Sequence, residues 1–511
     1  MTKIKIQRAL ISVSDKRNII ELAQFLETQN IEIISTGGTY KLLKENNISV
    51  INISEFTNFP EILSGRVKTL HPKIHGGLLA IPDNEQHIKE SNENNINAID
   101  LTIINLYPFM DHIAKGSDDD LIRENIDIGG PSMIRSTAKN YHYKTIITDI
   151  SDYEKLKEQI ANDSSTTLDF RQEMSKKAFN LTANYDANIA NWFNKDSTPE
   201  DKLLLSGDLK QELRYGENSH QKARIYQDNF RKEGITHAIK LQGKDLSYNN
   251  FNDSDAALAI VTEFSEATAV IVKHANPCGV ASSSDILQSF EKAFNSDSKS
   301  AFGGIVALNR KIESDLAEKM SKIFFEVIIA PDFSDESLKI FSKKKNLRIL
   351  KTNIAKSNQM IEIKTISGGF LAQEIDNKII DKSNLKLASN KKISDQELDE
   401  LIFAMKICKY VKSNAIIVTS DLQTIGIGCG QQNRVDSVAI ACKKALNFNK
   451  DNKFLASDAF FPFADNIEIA AKYGIKAIIA PSGSIRDEEV IAACNDHNIA
   501  LYFSETRHFK H

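Results

Sequence analysis

The sequence predicts an α/β protein with two domains, and three observations support this: the length of the chain, its alternation of strand and helix patterns, and a polar break near residue 200. A chain of 511 residues exceeds the roughly 250–300 residues at which one hydrophobic core usually stops growing. The hydrophobic share of 41% is enough for each domain to bury a core. We therefore expect two cores rather than one.

The first 190 residues alternate between strand-like and helix-like segments. "RALISV" (8–13) has the pattern of a buried strand, and "RNIIELAQFLETQ" (17–29) has the spacing of an amphipathic helix. The pair then repeats, and further strands follow, in "IEIIST", "TYKLLKENN", "AIDLTIINLY" and "YKTIITDI". This alternation predicts a parallel sheet covered by helices.

A polar segment containing a proline, residues 194–211, predicts an interdomain connection, which gives domains at 1–198 and 199–511. A similar order of strand, Gly/Cys loop and helix leads to "KSAFGG" near residue 300 and to "SDAFFP" near residue 458. This internal echo predicts two related α/β subdomains in the second domain. Its expected strands are "ATAVIVKHA", "GGIVALN", "NAIIVTS" and "KAIIAPSG".

Charge and cysteine usage restrict the partners and the compartment. The net charge is -4 with both signs interleaved, which argues against nucleic acid or an anionic membrane as the main partner and leaves room for a small anionic substrate. Lysine-rich "SKKKNLR" (342–348) is most simply a solvated loop. Five cysteines without a C-x-x-C pair favour a reducing compartment, and the cytoplasm is the default. The N-terminal segment becomes polar too early for a signal-peptide core, and no apolar run approaches the ~18 residues of a membrane span.

Three segments in the first domain are candidate anion-binding loops at strand ends: "SVSDK" (12–16), "STGGT" (35–39) and "DIGG" (127–130). Free backbone N–H groups and the positive end of a helix attract phosphate, and glycine lets the backbone approach closely. Each alone is more often an ordinary turn or N-cap, but three in one small domain favour a phosphorylated ligand. None matches the P-loop or dinucleotide pattern. The residues they offer are Ser12, Ser14, Lys16, Thr36, Gly37, Gly38, Thr39, Asp127, Gly129 and Gly130.

"GRVKTLHPKIHGG" (65–77) concentrates positive charge between glycines. Its Arg66 and Lys68 could deliver two cations to a phosphate or to an oxyanion formed during reaction, and a basic surface loop is the alternative. Tyr107 can donate a hydrogen bond, Asp127 can accept or relay a proton, and Lys139 lies further along the glycine-led helix. Buried-tyrosine packing and ordinary helix charges are the competing explanations for these three.

The motifs taken in order resemble one known family, the bifunctional purine biosynthesis proteins, which join an inosine monophosphate (IMP) cyclohydrolase to an aminoimidazole carboxamide ribonucleotide (AICAR) formyltransferase. The resemblance extends from about residue 8 to the C-terminus, and the order of so many motifs is far more specific than any one of them. They are "SVSDK", "STGGT", "GRVKTLHPKIHGG", "NLYPF", "IDIGG", "LRYGENSHQ", "LSYNN", "VKHANPCG", "SAFGGIVA", "VKSNAI", "GIGCGQQNR", "SDAFFPF" and "SIRD".

The resemblance implies a methylglyoxal-synthase-like α/β/α domain followed by two cytidine-deaminase-like α/β subdomains. It also implies a homodimer with the formyltransferase site at the subunit interface. The substrates would be a nucleotide and a folate, with 10-formyltetrahydrofolate as co-substrate. No metal or tightly bound prosthetic group is required, and a monovalent cation in the C-terminal region is left open.

Formyl transfer explains the pair Lys273 and His274 in "VKHANPCG". The AICAR amine is a poor nucleophile, so a base must remove its proton while a donor stabilises the tetrahedral oxyanion. His274 is the natural base, because imidazole side chains exchange protons near neutral pH. Lys273 could stabilise the oxyanion or protonate the departing folate nitrogen. Neighbours on a strand point to opposite faces, so we expect Asn-Pro-Cys-Gly to form a turn that lets the two converge.

Two other classes of protein are alternatives to this family. A zinc nucleobase deaminase needs H-x-E followed by P-C-x-x-C, and this chain has neither the glutamate after His274 nor a second cysteine after Cys278. We therefore interpret Cys278 as a small packing residue. A non-catalytic nucleotide sensor would use the N-terminal loops, but it leaves the second half of the chain unexplained.

The resemblance assigns the remaining site residues. For cyclisation it implies Lys68, Tyr107, Asp127 and Lys139 as the catalytic set and adds Thr69 to the nucleotide contacts. Asn414 would orient His274 or the formyl group, Asp465 would contact folate, and Phe460 and Phe463 would stack on the pterin. The nucleotide contacts of the second domain would be Arg214, Tyr215, His220, Asn250, Phe302, Gly303, Glu326, Arg434 and Arg507.

Overall fold

The computed structural model describes residues 3–195, 201–228, 230, 233–355 and 361–511. Contacts divide the chain into two compact units, Met1–Gly207 and Asp208–His511. The predicted boundary at 198/199 lies outside the described residues. The predicted connection was too long at its C-terminal end, because Asp208–Leu213 already forms a strand.

The first unit is built on a five-stranded parallel sheet in the order β4-β3-β2-β5-β6. Its strands, together with the small pair β1–β7, are β1 (Ile4–Lys5), β2 (Arg8–Ser12), β3 (Glu32–Ser35), β4 (Ile51–Asn52), β5 (Leu101–Ile104), β6 (Thr145–Ile147) and β7 (Ser165–Thr166). Its helices are α1 (Ile19–Thr28), α2 (Gly37–Glu45), α3 (Ile53–Thr57), α4 (Pro72–Leu79), α5 (Glu85–Glu93), α6 (Phe109–Ala114), α7 (Asp119–Glu124), α8 (Gly129–Lys139), α9 (Tyr153–Ile160) and α10 (Leu168–Phe193).

Burial on both faces explains the composition of this sheet. All residues of β5 and β6 are buried, as are the central three of β2, so these strands are continuous apolar runs rather than alternating ones. The helices contribute their apolar sides to the same core; α1 buries Ile19, Leu22, Ala23 and Leu26. The prediction of a parallel sheet covered by helices is confirmed.

The second unit contains one twelve-stranded mixed sheet in the order β10-β15-β14-β13-β11-β12-β20-β19-β21-β22-β23-β18. Two separate hairpins, β8–β9 and β16–β17, complete its strands. The strands are β8 (Asp208–Leu213), β9 (Ala223–Gln227), β10 (Ile239–Gln242), β11 (Ala267–Lys273), β12 (Asn276–Ser283), β13 (Ile305–Leu308), β14 (Val327–Ala330), β15 (Arg348–Lys351), β16 (Ile361–Ile366), β17 (Gly369–Glu374), β18 (Leu385–Leu387), β19 (Ile416–Ser420), β20 (Gln423–Gly428), β21 (Lys453–Ser457), β22 (Ile475–Pro481) and β23 (Ala500–Ser504). The helices are α11 (Tyr248–Val261), α12 (Ile286–Ser296), α13 (Ser298–Ala301), α14 (Ser314–Ser321), α15 (Asp335–Phe341), α16 (Asp395–Cys408), α17 (Arg434–Ala445), α18 (Asp465–Lys472) and α19 (Asp487–Asp496).

The sheet consists of two copies of one structural repeat, as the repeated order of motifs in the sequence predicts. Each copy runs from an edge strand through a helix into a two-stranded hairpin, then a helix and three further strands joined by helices. The hairpins are β11–β12 and β19–β20, and the copies meet where β12 pairs antiparallel with β20 at Ala281 and Gln423. This repeat fits the expected pair of cytidine-deaminase-like subdomains. None of the described helices is long and apolar enough to cross a membrane.

Close packing of a helix on each hairpin requires glycine in the strand. A Cβ on Gly279 in β12 would lie 1.9 Å from the carbonyl oxygen of Ala293 in α12. A Cβ on Gly428 in β20 would lie 2.1 Å from the carbonyl oxygen of Ser437 in α17. Both contacts involve backbone atoms, so the helix itself would have to move. The two glycines therefore set the distance between helix and sheet.

Substituting Gly428→Ala is expected to destabilise the second unit by about 1–3 kcal/mol, the usual cost of overpacking a core. Urea or thermal unfolding measures this loss. The matched control is Gly369→Ala on β17, where an added Cβ meets nothing within 4 Å, and its effect is expected to stay within about 0.5 kcal/mol. Equal stability of the two variants would show that the helix α17 is not held at this distance.

Candidate active sites

A cavity of about 610 Å³ opens at the carboxyl edge of the sheet in the first unit. Strand order reverses between β2 and β5, since the chain adds β3 and β4 on one side of β2 and β5 and β6 on the other. In open α/β sheets, ligands bind outside the strand ends at such a point. The cavity therefore lies where a small-molecule site is expected. It contains fourteen of the residues singled out from the sequence: Ser12, Ser14, Lys16, Thr36, Gly37, Gly38, Thr39, Arg66, Lys68, Thr69, Tyr107, Asp127, Gly129 and Gly130.

Asn105, which the sequence analysis missed, joins the loops that follow β2 and β5. Its Oδ1 accepts hydrogen bonds from the backbone N–H groups of Ser14 (2.6 Å) and Asp15 (3.0 Å), and its Nδ2 donates to the carbonyl of Asp15 (2.9 Å). The signal was present, because Asn105 directly follows a buried strand. Its amide fixes the shape of the "SVSDK" loop around the cavity.

Two ammonium groups converge on the N-terminus of α2. Nζ of Lys68 lies 3.7 Å from the position that a Cβ on Gly37 would occupy, and Nζ of Lys16 lies 3.6 Å from that of Gly38. The N-cap residue Thr36 is extended and makes no side-chain cap hydrogen bond. Backbone N–H groups and two cations thus surround one point, which is the arrangement that binds phosphate.

Asp127 and the start of α8 form the opposite wall. Oδ1 of Asp127 accepts a hydrogen bond from the Gly130 N–H (2.8 Å), and the Asp127 N–H donates to the Tyr185 hydroxyl (2.8 Å). A Cβ on Gly130 would lie 2.5 Å from Asp127 Oδ2, so glycine is needed there. Burial raises the pKa of the Asp127 carboxyl, although the Gly130 N–H and the Lys68 charge oppose this shift. The carboxyl is therefore suited to holding or exchanging a proton.

The structure does not bring every residue of the predicted set to this cavity. Lys139 is the last residue of α8 and is exposed, whereas the cavity is lined by the first residues of that helix. Arg66 lines the cavity, and its guanidinium pairs with the Glu124 carboxylate. Tyr107 lines it with its side chain partly exposed.

In the second unit, Lys273 and His274 lie at the tip of the β11–β12 hairpin, and the expectation that Asn-Pro-Cys-Gly forms the turn was wrong. The turn is His274–Ala275, with φ values of 55° and 57°, and residues 276–279 begin β12. Two consecutive left-handed residues make the tight type I′ turn of a two-residue hairpin. His-Ala lacks the glycine or asparagine that marks such turns, so the sequence did not reveal it.

A second cavity, of about 400 Å³, includes Lys273 and His274. The ammonium of Lys273 donates to the carbonyl oxygen of Phe302 (2.5 Å), which brings the "SAFGG" segment to the hairpin tip. Beyond these two residues, the lining comes from the start of β12, residues 424–427 of β20, the junction of α12 and α13 at Asp297, and Lys444 on α17. The cavity therefore depends on both copies of the repeat.

Cys278 lines this cavity but is also packed against the hydrophobic cluster beneath α12. Burial raises the pKa of its thiol to about 12. The neutral thiol form is a poor nucleophile. These observations agree with the interpretation of Cys278 as a packing residue.

Arg434 hydrogen-bonds to Asn414 within the second copy of the repeat. Its guanidinium is buried, pairs with the Asp458 carboxylate, and donates to Ser457 Oγ (2.9 Å) and to Asn414 Oδ1 (2.7 Å). The Asn414 amide donates in turn to the carbonyl of Gln431 (2.9 Å). In this arrangement Arg434 fixes the orientation of Asn414.

The other residues expected in the second site are distributed over the unit and do not line the second cavity. Glu326 pairs with Arg348 (2.6 Å), and Asn250 accepts from the Ser247 N–H in the capping box of α11. Gly303 follows Phe302 at the hairpin tip. The remaining ones have exposed or partly exposed side chains: Arg214, Tyr215, His220, Phe302, Phe460, Phe463, Asp465 and Arg507.

Comparison with known proteins identifies the family of the chain. The family model of the AICARFT/IMPCHase bienzyme matches residues 137–444, and that of the MGS-like domain matches residues 18–132. The chain is 48% identical to the bifunctional purine biosynthesis protein PurH of Caldicellulosiruptor saccharolyticus, over 99% of this chain and 100% of that protein. It is 49% identical to PurH of Bacillus cereus over 99% of this chain and 100% of that protein. It is 47% identical to PurH of Rhizobium leguminosarum over 100% of this chain and 98% of that protein.

Two α/β units, each with a basic cavity at strand ends, define a bifunctional enzyme that acts on small anionic molecules. The chain belongs to the AICARFT/IMPCHase bienzyme family. The resemblance found in the sequence is thereby confirmed, and the deaminase and sensor alternatives are set aside.

The raised pKa of Asp127 predicts a stability change with a defined sign. The folded protein keeps this proton at pH values where the unfolded chain has released it, so the group favours folding at low pH and this contribution is lost as the pH rises through the raised pKa. Asp127→Asn stays neutral and is expected to raise the melting temperature at pH 7. The gain should disappear below about pH 3.9, the ordinary carboxyl value. Melting curves at both pH values test this, with exposed Asp111→Asn as the control.

Proposed function

We propose that this bifunctional enzyme of purine biosynthesis divides its two reactions between its units. The second unit transfers a formyl group from 10-formyltetrahydrofolate to the amine of AICAR, and the first unit cyclises the formylated product to IMP with loss of water. The observation that carries the proposal is that one cavity contains both the basic N-terminus of α2 and the Asp127 carboxyl, whose pKa burial raises. The direct test is to incubate the purified protein with AICAR and 10-formyltetrahydrofolate and to measure IMP.

Cyclisation is intramolecular, so the first unit must hold the reactive rotamer and stabilise charge. The N-terminus of α2 with Lys16 would bind the nucleotide phosphate. The carboxamide nitrogen attacks the formyl carbon, and Lys68 stabilises the oxygen that becomes negative. Asp127 takes a proton from the carboxamide nitrogen and delivers it to this oxygen, which gives a carbinolamine. The proton of the former formamide N–H then passes to the same oxygen, which leaves as water while the C=N bond of the new ring forms. Tyr107 donates to the same oxygen from the cavity wall.

Formyl transfer requires a base and an oxyanion donor at one place, and the hairpin tip offers both. The AICAR amine attacks the formyl carbon while His274 accepts its proton. Lys273, held by the Phe302 carbonyl, either stabilises the tetrahedral oxyanion or protonates the folate nitrogen as the C–N bond breaks. The products are formyl-AICAR and tetrahydrofolate. Asn414, fixed by Arg434, would orient the formyl group.

The finer features of the proposal concern assembly and environment. The exposed aromatic and arginine side chains expected to bind folate and nucleotide do not line the second cavity in a single chain, which supports a homodimer whose site is completed at the subunit interface. A cytoplasmic location, a monovalent cation in the second unit and the absence of nucleic acid or membrane partners remain part of this proposal.

Lys68→Ala is expected to abolish most cyclisation while formyl transfer continues, because it removes the cation proposed to stabilise the developing oxyanion in the first cavity. Formyl-AICAR should then accumulate, which chromatography of the reaction mixture detects. Lys73→Ala is the matched control, since Lys73 belongs to the same basic segment but does not line the cavity. Normal IMP output from Lys68→Ala would remove Lys68 from the catalytic set.

His274→Ala is expected to lower the formyl transfer rate by roughly 10²–10⁴-fold, the usual scale of general acid–base catalysis, with a much smaller effect on AICAR affinity. The same protein should still cyclise supplied formyl-AICAR at the wild-type rate. Exposed His497→Ala, at the residue that follows α19, serves as the control. An unchanged transfer rate, or a loss matched by unfolding, would rule out His274 as the base.

A further inference from the structure

We infer that Asp253 on α11 is a positioning residue for formyl transfer, which it serves by holding the turn that carries His274; this inference rests on the proposed role of His274. Oδ2 of Asp253 accepts a hydrogen bond from the His274 N–H (3.0 Å), and Oδ1 accepts one from the Ala275 N–H (2.8 Å). Both oxygens of one carboxylate therefore bind two consecutive backbone groups of the turn.

The turn needs such support because its sequence is unfavourable. A left-handed conformation is unfavourable for residues with a Cβ, and neither His274 nor Ala275 is glycine. Hydrogen bonds to a charged carboxylate are stronger than neutral ones. The Asp253 carboxylate thus offsets the cost of the two positive φ angles and keeps the hairpin tip in one conformation.

A second contact fixes the same turn from its other side. The side-chain amide of Asn276 donates to the His274 carbonyl (3.1 Å), and its Oδ1 accepts from the Lys412 N–H (3.3 Å). His274 is thus bound through its N–H by Asp253 and through its carbonyl by Asn276. Its side chain is exposed, so the direction of the imidazole depends on the backbone beneath it.

The second copy of the repeat has a comparable acid, which makes one backbone contact to its turn instead of two and carries no proposed chemistry. Its hairpin turn is Asp421–Leu422, with φ values of 54° and 51°, and the Leu422 N–H donates to the carboxylate of Glu400 on α16. Asp253 and Glu400 are each the sixth residue of their helix. The acid is therefore a structural part of both copies, and only in the first does it support a residue assigned to catalysis.

This pair provides an experiment with an internal control. Asp253→Asn and Glu400→Gln each neutralise one acid and nearly preserve its shape. Both are expected to lower the melting temperature modestly. Asp253→Asn should also lower kcat for formyl transfer by about 10–100-fold, since a misplacement of about 1 Å can cost 10²-fold. The KM for AICAR and the cyclisation of supplied formyl-AICAR should stay near wild type. Glu400→Gln should leave kcat within about twofold of wild type.

A second variant separates positioning from general stability. Adding Ala275→Gly to Asp253→Asn places glycine at a left-handed position, where it costs little, and should restore at least part of the lost kcat. Wild-type kcat in Asp253→Asn, or an equal kcat loss in Glu400→Gln, would overturn the inference while His274→Ala still showed its loss. If the wild-type protein transferred no formyl group, the proposed function would fail and this inference with it. If Asp253→Asn does not fold, the double variant and two further single variants decide. Wild-type kcat in Ala275→Gly together with a reduced kcat in the folded double variant supports the inference. Wild-type kcat in the double variant together with wild-type kcat in a folded Asp253→Ala variant overturns it.

Discussion

The antiparallel contact between β12 and β20 is the constraint on which the second unit depends. It joins two copies of one repeat into a continuous sheet, and antiparallel pairing sets the beginning of β12 beside the end of β20. The tip of the first hairpin therefore faces residues of the second copy, and the cavity at Lys273 and His274 is lined by both. Neither copy alone would enclose it.

The first unit forms its cavity with parallel strands instead. All five strands end at one edge, so the loops after β2, β3 and β5 meet without any contribution from a second copy. The amide of Asn105 then fixes two of these loops to each other. Across the two units, most of the candidate catalytic side chains lie in loops or tight turns, while the buried strands beneath them supply a rigid base.

Patterns local in sequence were predicted well, and contacts between distant segments were not. The apolar runs identified β2, β3, β5 and β6 in the first unit and β11, β13, β19 and β22 in the second, and the glycine-led loops identified most of the first cavity, because each depends on neighbouring residues. Asp253 was missed because its partners are backbone N–H groups of a distant segment, which leave no mark in the sequence. Asn105 stood in a recognisable place after a buried strand, but its contact with the loop after β2 could not be read from that position. The turn at His274 was misplaced since its residues lack the usual turn composition. The resemblance suggested Lys139, yet helix geometry places it at the end of α8 remote from the cavity-lining residues.

The hairpin turns of the two copies differ in how freely their residues can be substituted. In the second copy, Leu422 occupies a left-handed position, and glycine or asparagine there would suit the backbone better. In the first copy, the equivalent freedom is limited, because the residue at the first turn position must also be a histidine if it is to act as a base. Both positions of the second turn can therefore be changed to raise thermal tolerance, whereas in the first turn the proposed role of His274 leaves only Ala275 open to such a change.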